Sequence, residues 1–170
     1  IMNNIVVKNV TTKNLTSKQI NNLCNLKKQH WKFNLKNQLK WFKKNAFEED
    51  NHILIYSSFI LIGYVHLGER NFLLNSKNKK YILFRNLIVN KKYRNKNISS
   101  LIMRHANNYI FRRKKIGFLI CKKKVCNFYI KFNWKIINKK INKLSDHKSE
   151  HMKFMVLNNK VGNKIFFYYR

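Results

Sequence analysis

The spacing of apolar positions predicts a strand and two helices in the first part of the chain. Ile5 to Val10 is a short β-branched run of the kind that forms strands. Thr16 and Ser17 offer an N-cap, and apolar positions recur after them at helical spacing. A second helix is predicted from about Leu35 to Asn45. The positions that carry the helical spacing are Ile20, Leu23, Cys24 and Lys27, then Leu35, Leu39 and Phe42.

The middle of the chain predicts a hairpin. His52 to Ser57 and Phe59 to Leu67 both have strand composition, and Ser57-Ser58 is a connection short enough to join them as an antiparallel pair. Asn71 to Lys80 is polar and predicts a loop.

Strands and helices also alternate in the second half, which predicts a mixed α+β layer structure. Tyr81 to Val89 predicts a strand, and an amphipathic helix begins near Ile98. Its expected apolar face is Ile98, Leu101, Ile102, His105, Tyr109 and Ile110. The later predicted strands are Phe118 to Cys121, one after Trp134, Phe154 to Leu157, and Ile165 to Tyr169.

Length and composition predict one folded domain over residues 1–170, because 170 residues with 45% hydrophobic content bury a sizeable core. No apolar run approaches the roughly 18 residues that span a bilayer, and no secretory signal is visible at the N-terminus. Cys24, Cys121 and Cys126 form no CxxC pair and predict reduced thiols. We therefore expect a cytoplasmic protein.

The formal net charge of +31 has two explanations. Such charge is typical of proteins that bind nucleic acid, acidic lipid or another polyanion. The codon bias of an AT-rich genome also explains it, since Lys, Asn and Ile are abundant while Pro is absent and Gly numbers four. The lysines are scattered over nearly every segment, which favours codon bias over a dedicated nucleic-acid site.

The loop between the Tyr81–Val89 strand and the next helix is a candidate phosphate cradle. Backbone N–H groups at a helix N-terminus lack intrahelical partners and attract anions. Arg94 and Lys96 would add side-chain charge. Asn97 tolerates left-handed backbone better than most residues, and Ser99 is small, so the backbone could approach a phosphate closely.

This segment resembles the GCN5-related N-acetyltransferase (GNAT) family over most of the chain from Ile5 to about Ile137. Leu87-x-Val89 followed by Arg94-x-x-Asn97-x-Ser99 is similar to the family's Leu-x-Val strand and its Arg-x-x-Gly-x-Gly/Ala loop. Phe128-Tyr129-Ile130-Lys131-Phe132-Asn133-Trp134 is similar to Phe-Tyr-x-Lys-x-Gly-Phe. Asn97, Ser99 and Asn133 stand where the family has small residues, mostly glycine, and Lys122 stands where it often has Asn.

The resemblance implies a mostly antiparallel sheet of six to seven strands with about four helices, and acetyl-CoA as the acyl donor. It implies that backbone groups of Leu87 to Val89 pair with the pantetheine arm and that Arg94 to Ser99 hold the diphosphate. The implied donor-binding residues are Leu87, Ile88, Val89, Arg94, Asn95, Lys96, Asn97, Ile98, Ser99 and Lys122. Tyr129 would protonate the departing thiolate, a role that suits a neutral phenol.

The acceptor side departs from the family. Arg85 occupies the position of the Glu that often helps to deprotonate the amine, and an Arg would instead bind a carboxylate or phosphate. Glu69 is the best-placed substitute base, although a carboxylate paired with surface lysines is an equal interpretation. His30, Trp31 and His147 could line the acceptor pocket, or could simply pack.

These features predict an N-acetyltransferase whose acceptor is a small amine bearing phosphate or carboxylate, such as an amino sugar, a nucleotide-linked amino sugar or an amino acid. The alternatives are a longer acyl group, a hydroxyl acceptor, or a basic GNAT-fold module that binds nucleic acid without turnover. A homodimer is compatible with the sequence. The loop histidines beside Asp146 and Glu150 favour a solvated loop over a metal site, and no metal is expected.

Overall fold

Seven strands and four α-helices make up the computed structural model, which describes residues 4–74, 77–137 and 151–158. The strands are β1 (Ile5–Thr11), β2 (Asn51–Ser57), β3 (Ile60–Leu74), β4 (Lys77–Val89), β5 (Ile116–Lys122), β6 (Lys135–Ile137) and β7 (Met152–Leu157). The helices are α1 (Ser17–Lys28), α2 (Leu35–Asn45), α3 (Ile98–Arg112) and α4 (Cys126–Ile130). The predicted six to seven strands and about four helices are confirmed.

The strands form one mixed sheet in the order β1-β2-β3-β4-β5-β7-β6. Antiparallel ladders join β1 to β2, β2 to β3, β5 to β7 and β6 to β7, whereas β4 and β5 are parallel. The β2–β3 pair is the hairpin that the sequence predicted, with Ser57 opposite Ile60 and Ser58 in the left-handed region at φ 55°.

The chain forms two compact units. The first unit comprises Ile1–Gly68 with Arg85–Ala106, and the second comprises Glu69–Phe84 with Asn107–Arg170. The expectation of one domain over residues 1–170 stays a prediction.

The core of the first unit forms because α1 and α2 present apolar stripes to each other and to the sheet. Thr16 and Gln19 form a reciprocal capping box at the start of α1, and the Asn34 side chain accepts a hydrogen bond from the Asn37 N–H at the start of α2. The buried residues of this core include Leu23, Cys24, Leu26, Phe42, Leu54, Tyr64 and Ile88.

The core of the second unit is aromatic. Phe72, Tyr81 and Phe118 meet edge to face, with ring centroids 5.8 Å apart in both contacts. A Cβ at Gly117 would lie 2.8 Å from Cη2 of Trp134, so close packing explains why a glycine is retained there. Trp134 itself is 1% exposed and donates its indole N–H to Asn107 at 3.0 Å.

Two details of the sequence prediction were wrong or incomplete. Asn71 to Lys80 does not form the predicted polar loop: β3 runs to Leu74 and β4 begins at Lys77, because pairing between neighbouring long strands outweighs local polarity. On α3, Met103 and Ala106 are buried with Ile98, Ile102 and Ile110. Leu101, His105 and Tyr109 are only half-buried. The predicted strand at Ile165 to Tyr169 lies outside the described residues.

Candidate functional site

The loop between β4 and α3 is tied down at its start. A 3-10 turn at Lys91–Tyr93 follows Asn90, whose side chain accepts a hydrogen bond from the Lys92 N–H at 3.1 Å. The Asn90 N–H donates to the Ile62 carbonyl at 2.8 Å, and the Lys91 N–H donates to the side chain of Gln29 at 3.0 Å. The entry of the loop is therefore held by the strand and by the end of α1.

The second half of this loop has the backbone geometry of a glycine-rich turn. Asn95 and Asn97 adopt φ values of 61° and 58°. The carbonyl of Asn97 accepts from the Leu101 N–H at 3.0 Å, which is the first turn of α3. Arg94 and Lys96 are exposed beside these residues. The exposed loop thus combines left-handed backbone, basic side chains and a helix N-terminus, a combination suited to holding a diphosphate.

The end of β4 extends past its ladder with β5. The described register pairs Tyr81, Ile82 and Leu83 with Ile116, Gly117 and Phe118 and stops short of Leu87. Ile88 is buried, and Leu87 and Val89 are half-buried. The backbone of Leu87 to Val89 is therefore outside the described β4–β5 ladder.

Tyr129 is fixed on α4 by aromatic packing in the second unit. Its ring lies 6.0 Å from that of Phe84 and 6.5 Å from that of Trp134, centroid to centroid. Its carbonyl accepts hydrogen bonds from the N–H groups of Phe132 at 2.9 Å and Trp134 at 3.3 Å. Asn133 closes this turn at φ 67°, so here too an asparagine takes a backbone conformation that favours glycine.

Burial raises the pKa of the Tyr129 phenol, and Cys121 and Cys126 raise it further. The phenol is therefore protonated at neutral pH and able to donate. The two thiols lie 3.6 Å apart, and burial raises the pKa of Cys121 to about 12. Cys121 is consequently a protonated thiol at neutral pH. Lys122, at the end of β5, is exposed.

A cavity of about 470 Å³ lies in the first unit, between α1, α2 and β4. We call it the α1–α2 cavity. Its lining consists of the aromatic residues Trp31, Phe33 and Trp41, the lysines Lys27, Lys40 and Lys44, and the amides Asn37, Gln38, Asn45 and Asn86. The lining of this cavity includes no acidic residue.

Lys27 is a buried cation in the wall of the cavity. It is 3% exposed, and its Nζ lies 3.7 Å from the ring centroid of Trp41 and 5.9 Å from that of Trp31. Burial lowers the pKa of Lys27 from 10.5 to about 8; Cys24 opposes this shift and Arg85 adds to it. Its charge is thus retained at neutral pH, where the two indole faces stabilise it.

Two amides of the lining have nitrogen atoms without partners. Gln38 is 3% exposed, and its Nε2 has no hydrogen bond; Nδ2 of Asn86 is likewise buried and unpaired. Asn86 lies within β4 and takes left-handed backbone at φ 59° where the strand lines the cavity. Burying a donor without a hydrogen-bond partner costs free energy, so two such donors at one cavity are unusual.

Arg85 lies at the centre of a hydrogen-bond network that was not predicted from the sequence. Its Nε donates to Nδ1 of His66 at 3.2 Å, and His66 Nε2 bonds Oδ2 of Asp50 at 2.8 Å. A second guanidinium nitrogen donates to the Asn45 carbonyl, and the guanidinium carbon lies 5.1 Å from the Trp41 ring centroid. Arg85 therefore braces two residues of the cavity wall, Asn45 and Trp41.

His52 extends this network as a neutral group. Its ring stacks on His66 at 4.6 Å between centroids and bonds Thr12 Oγ1 and Tyr64 OH, both at 2.8 Å. Burial and His66 lower the pKa of His52 to about 3. The predicted hairpin could have indicated the contact between the two histidines, because its register places His52 opposite His66.

Comparison with known proteins identifies the fold. No protein-family model and no curated protein sequence matches the chain. An aminoglycoside 6'-N-acetyltransferase crystallised with coenzyme A is similar with a TM-score of 0.69 at 10% identity, covering 89% of this chain and 96% of that one. The Bacillus subtilis N-acetyltransferase YlbP, in complex with coenzyme A, gives 0.59 at 14% identity, covering 94% and 99%. A protein from Desulfovibrio desulfuricans assigned to the GNAT family gives 0.66 at 6% identity, covering 91% and 98%.

The chain has the GNAT fold. The predicted fold class is therefore confirmed. At these identities the likeness establishes the fold, and the roles of individual residues within it rest on their own geometry.

The GNAT fold brings some of the predicted acceptor residues together. Trp31 lines the α1–α2 cavity, and the ring of His30 meets the Trp31 ring edge to face at 4.6 Å. Glu69 forms an ion pair with Lys80 at 2.8 Å, with 37% of its side chain exposed, which is the alternative that the sequence left open. His147 lies outside the described residues. Gln38 was missed, although it shares the helical spacing of Leu35 and Phe42.

None of the described helices has the length and hydrophobicity that a bilayer crossing requires. Within the described ranges, no three residues among His, Cys, Asp and Glu are grouped so that they could hold a metal ion.

Proposed function

We propose that this protein transfers an acetyl group from acetyl-CoA to the primary amine of a small acceptor that bears carboxylate or phosphate. The observation that carries the proposal is the loop between β4 and α3, where Asn97 takes φ 58° directly before the first turn of the helix. An asparagine there supports reading Arg94-x-x-Asn97-x-Ser99 as a phosphate-binding loop that has lost its glycines but kept their backbone.

The donor would be held mainly by backbone. N–H groups from Arg94 to Ser99 would bind the diphosphate, with Arg94 and Lys96 adding charge at an exposed site. Leu87 to Val89 would offer main-chain hydrogen bonds to the pantetheine arm, which the end of the described β4–β5 ladder at Leu83 supports. Ile98 is buried at the start of α3, and the exposed Lys122 would contribute charge.

When bound, acetyl-CoA supplies the thioester. The acceptor nitrogen forms a bond to the acetyl carbon, the carbon–sulfur bond breaks, and the sulfur takes the phenolic proton of Tyr129. Tyr129 holds its proton at neutral pH, as a general acid must, because burial raises the pKa of its phenol. The amine proton passes to water, and Tyr129 is reprotonated from solvent.

The cations of the α1–α2 cavity would replace the missing carboxylate base. Lys27, Lys40 and Lys44 line the cavity, and Arg85 braces its wall. Nearby positive charge lowers the pKa of a bound ammonium, so a larger share of the acceptor is the neutral, nucleophilic amine. Glu69 remains a proposed base, although its pairing with Lys80 places it in competition with a surface ion pair.

Thermal shift with acetyl-CoA at low and high salt tests the donor side, and thiol release from acetyl-CoA over a panel of amines tests turnover. We expect a stabilisation by acetyl-CoA that survives high salt, and thiol release with carboxylate- or phosphate-bearing amines. Stabilisation that disappears with salt, as polynucleotide binding does, together with no thiol release, would overturn the proposal in favour of a basic binding module. Longer acyl-CoAs and alcohols in the same assay identify the other enzymatic alternatives.

A further inference from the structure

Gln38 and Asn86 place two unpaired amide nitrogens at the α1–α2 cavity. Gln38 belongs to α2 and Asn86 to β4, so two separate elements bring the same kind of group to the lining of one cavity. The terminal torsion of an Asn or Gln side chain is broad, so each amide can turn toward an oxygen that enters the cavity. A ligand with acceptor oxygens would remove both unpaired donors at once.

The charged side chains in the cavity lining indicate whether that ligand is an anion or a cation. Lys27 is buried in the wall, Lys40 and Lys44 line it, and the lining contains no acidic residue. Two cations already lie over the Trp41 ring, with Lys27 Nζ 3.7 Å and Arg85 Cζ 5.1 Å from its centroid, so this ring is less suited to hold a further cation. The cavity therefore favours an anion.

We propose that the α1–α2 cavity binds a carboxylate of the acceptor, with Gln38 Nε2 and Asn86 Nδ2 donating to its two oxygens and Lys27 balancing its charge. Two amide donors and one buried ammonium match a monoanion with two oxygens. A phosphate is disfavoured because Arg85, the side chain best suited to it, has two of its nitrogens committed to His66 and Asn45.

The apolar walls narrow the acceptor further. Trp31, Phe33 and Trp41 line the same cavity as the two amides, so we expect the molecule that carries the carboxylate to have an aromatic or large apolar group. We therefore expect the acceptor to be an amine that resembles an amino acid. Polycationic amines do not fit this cavity. This inference rests on the proposed function for its statement that the bound molecule is an acetyl acceptor.

Phenylacetate, phenylacetamide and phenyl phosphate are aromatic probes of similar size that differ in the group offered to the amides. Two of the three tryptophans, Trp31 and Trp41, line the cavity, so indole fluorescence reports occupancy. At constant ionic strength we expect phenylacetate to bind at least about tenfold more tightly than phenylacetamide, and more tightly than phenyl phosphate. Equal affinity for acid and amide, or tighter binding of the phosphate ester, overturns the assignment.

Gln38→Glu keeps the shape of the side chain and exchanges a donor for a carboxylate. We expect this variant to lose the preference for phenylacetate. Asn25→Asp adds the same charge on an exposed position of α1 outside the cavity lining and should keep it. Asn86→Gly removes the second amide, and glycine tolerates φ 59°. This variant must also show a reduced preference for phenylacetate, so it tests the proposal even if Gln38→Glu does not fold.

The donor side is measured separately. Stabilisation by acetyl-CoA without a preference for phenylacetate overturns the carboxylate site and leaves acetyl transfer standing. A preference for phenylacetate with neither stabilisation by acetyl-CoA nor thiol release overturns the proposed function, while carboxylate binding by the cavity stands.

Discussion

Arg85 donates from Nε to Nδ1 of His66 at 3.2 Å, and this single contact fixes the tautomer of the histidine. Because Nδ1 accepts, a neutral His66 carries its proton on Nε2, which faces Oδ2 of Asp50 at 2.8 Å. The positive charge of Arg85 is therefore balanced through the ring of His66 by a carboxylate that is 2% exposed. The wall of the α1–α2 cavity is thus braced by a charge network whose carboxylate, Asp50, directly precedes β2.

Asp50→Asn tests this network. The substitution removes the buried negative charge and leaves Arg85 without its balance, so we expect the free energy of unfolding to fall by about 3 kcal/mol. Urea unfolding at neutral pH measures the change. Glu49→Gln is the matched control, because Glu49 pairs with Lys13 on the surface and its loss should matter little. Equal effects of the two substitutions would show that Asp50 balances no buried charge.

Asn97→Val tests the donor loop. A β-branched residue is strained at φ 58°, so we expect the substitution to abolish stabilisation by acetyl-CoA, whereas Asn97→Gly should retain it. Thermal shift measures both. Lys114→Val is the control: Lys114 has φ 52° at the other end of α3 and is exposed, so it should lose stability without losing the response to acetyl-CoA. If Asn97→Val still responds as the wild type does, the loop does not hold the donor.

The sequence predicted the fold well where local chemistry decides it. The predicted range for α2 coincides with the observed helix, because Asn34 caps it and its apolar positions face one side. The loop and closing motifs were readable because asparagine replaces glycine where the backbone is left-handed. Of the eight non-glycine residues with positive φ in the described ranges, six are asparagines. Glycine persists at Gly117, where asparagine could not help because a side chain has no room.

The network behind the α1–α2 cavity could not be predicted from the sequence, because it depends on pairing between distant segments. Arg85 was expected to hold an anion. Instead it donates to His66, which bonds Asp50, and Arg85 meets His66 only through the position of β4 in the sheet. Gln38 is a polar residue at a position of α2 that the helical spacing assigns to the buried face. A search for apolar residues at that spacing does not identify it. Its meaning depends on the cavity beside it, which no local pattern reveals.

Tyr129→Phe tests the proposed general acid. The ring contacts with Phe84 and Trp134 remain, so we expect normal stability and acetyl-CoA binding but a kcat lower by on the order of 10²-fold. Steady-state thiol release measures the change. Tyr109→Phe, on α3, is the matched control and should leave kcat unchanged. An unaltered kcat in Tyr129→Phe would assign the proton to another donor.

His52 makes the fold sensitive to acid. Its pKa falls from the ordinary 6.5 to about 3 in the folded state, so the unfolded chain binds a proton first as the pH drops. Stability is therefore full above about pH 6.5 and is lost progressively toward about pH 3. Between about pH 7 and about pH 5 we expect His52 to account for a loss of about 2 kcal/mol, measured by urea unfolding.

His52→Gln should reduce that loss. The variant is less stable at neutral pH, since it weakens the contacts with Thr12 and Tyr64, but its stability should change less between the two pH values. His151→Gln removes an exposed histidine and should behave like the wild type. A loss in His52→Gln as large as in the wild type would place the acid sensitivity elsewhere.

We expect Lys27 to give the α1–α2 cavity a pH-dependent affinity for anions. Its pKa is lowered to about 8 by burial, Cys24 and Arg85 are the charged or titratable groups with the largest effects on it, and burial keeps Cys24 a thiol. Near pH 7 most of the Lys27 side chains are ammonium, and near pH 9 most are neutral. Affinity for phenylacetate should therefore fall about three- to tenfold over that range, as measured by indole fluorescence.

Lys27→Met separates this effect from the other lysines of the cavity. We expect weak binding of phenylacetate at both pH values and no step between them, because the titrating charge is gone. Lys40→Met should weaken binding at both values yet keep the step, since Lys40 is exposed at the rim while Lys27 lies in the wall. If the affinity of Lys27→Met for phenylacetate still falls between about pH 7 and about pH 9, the titrating charge that attracts the carboxylate lies on a residue other than Lys27.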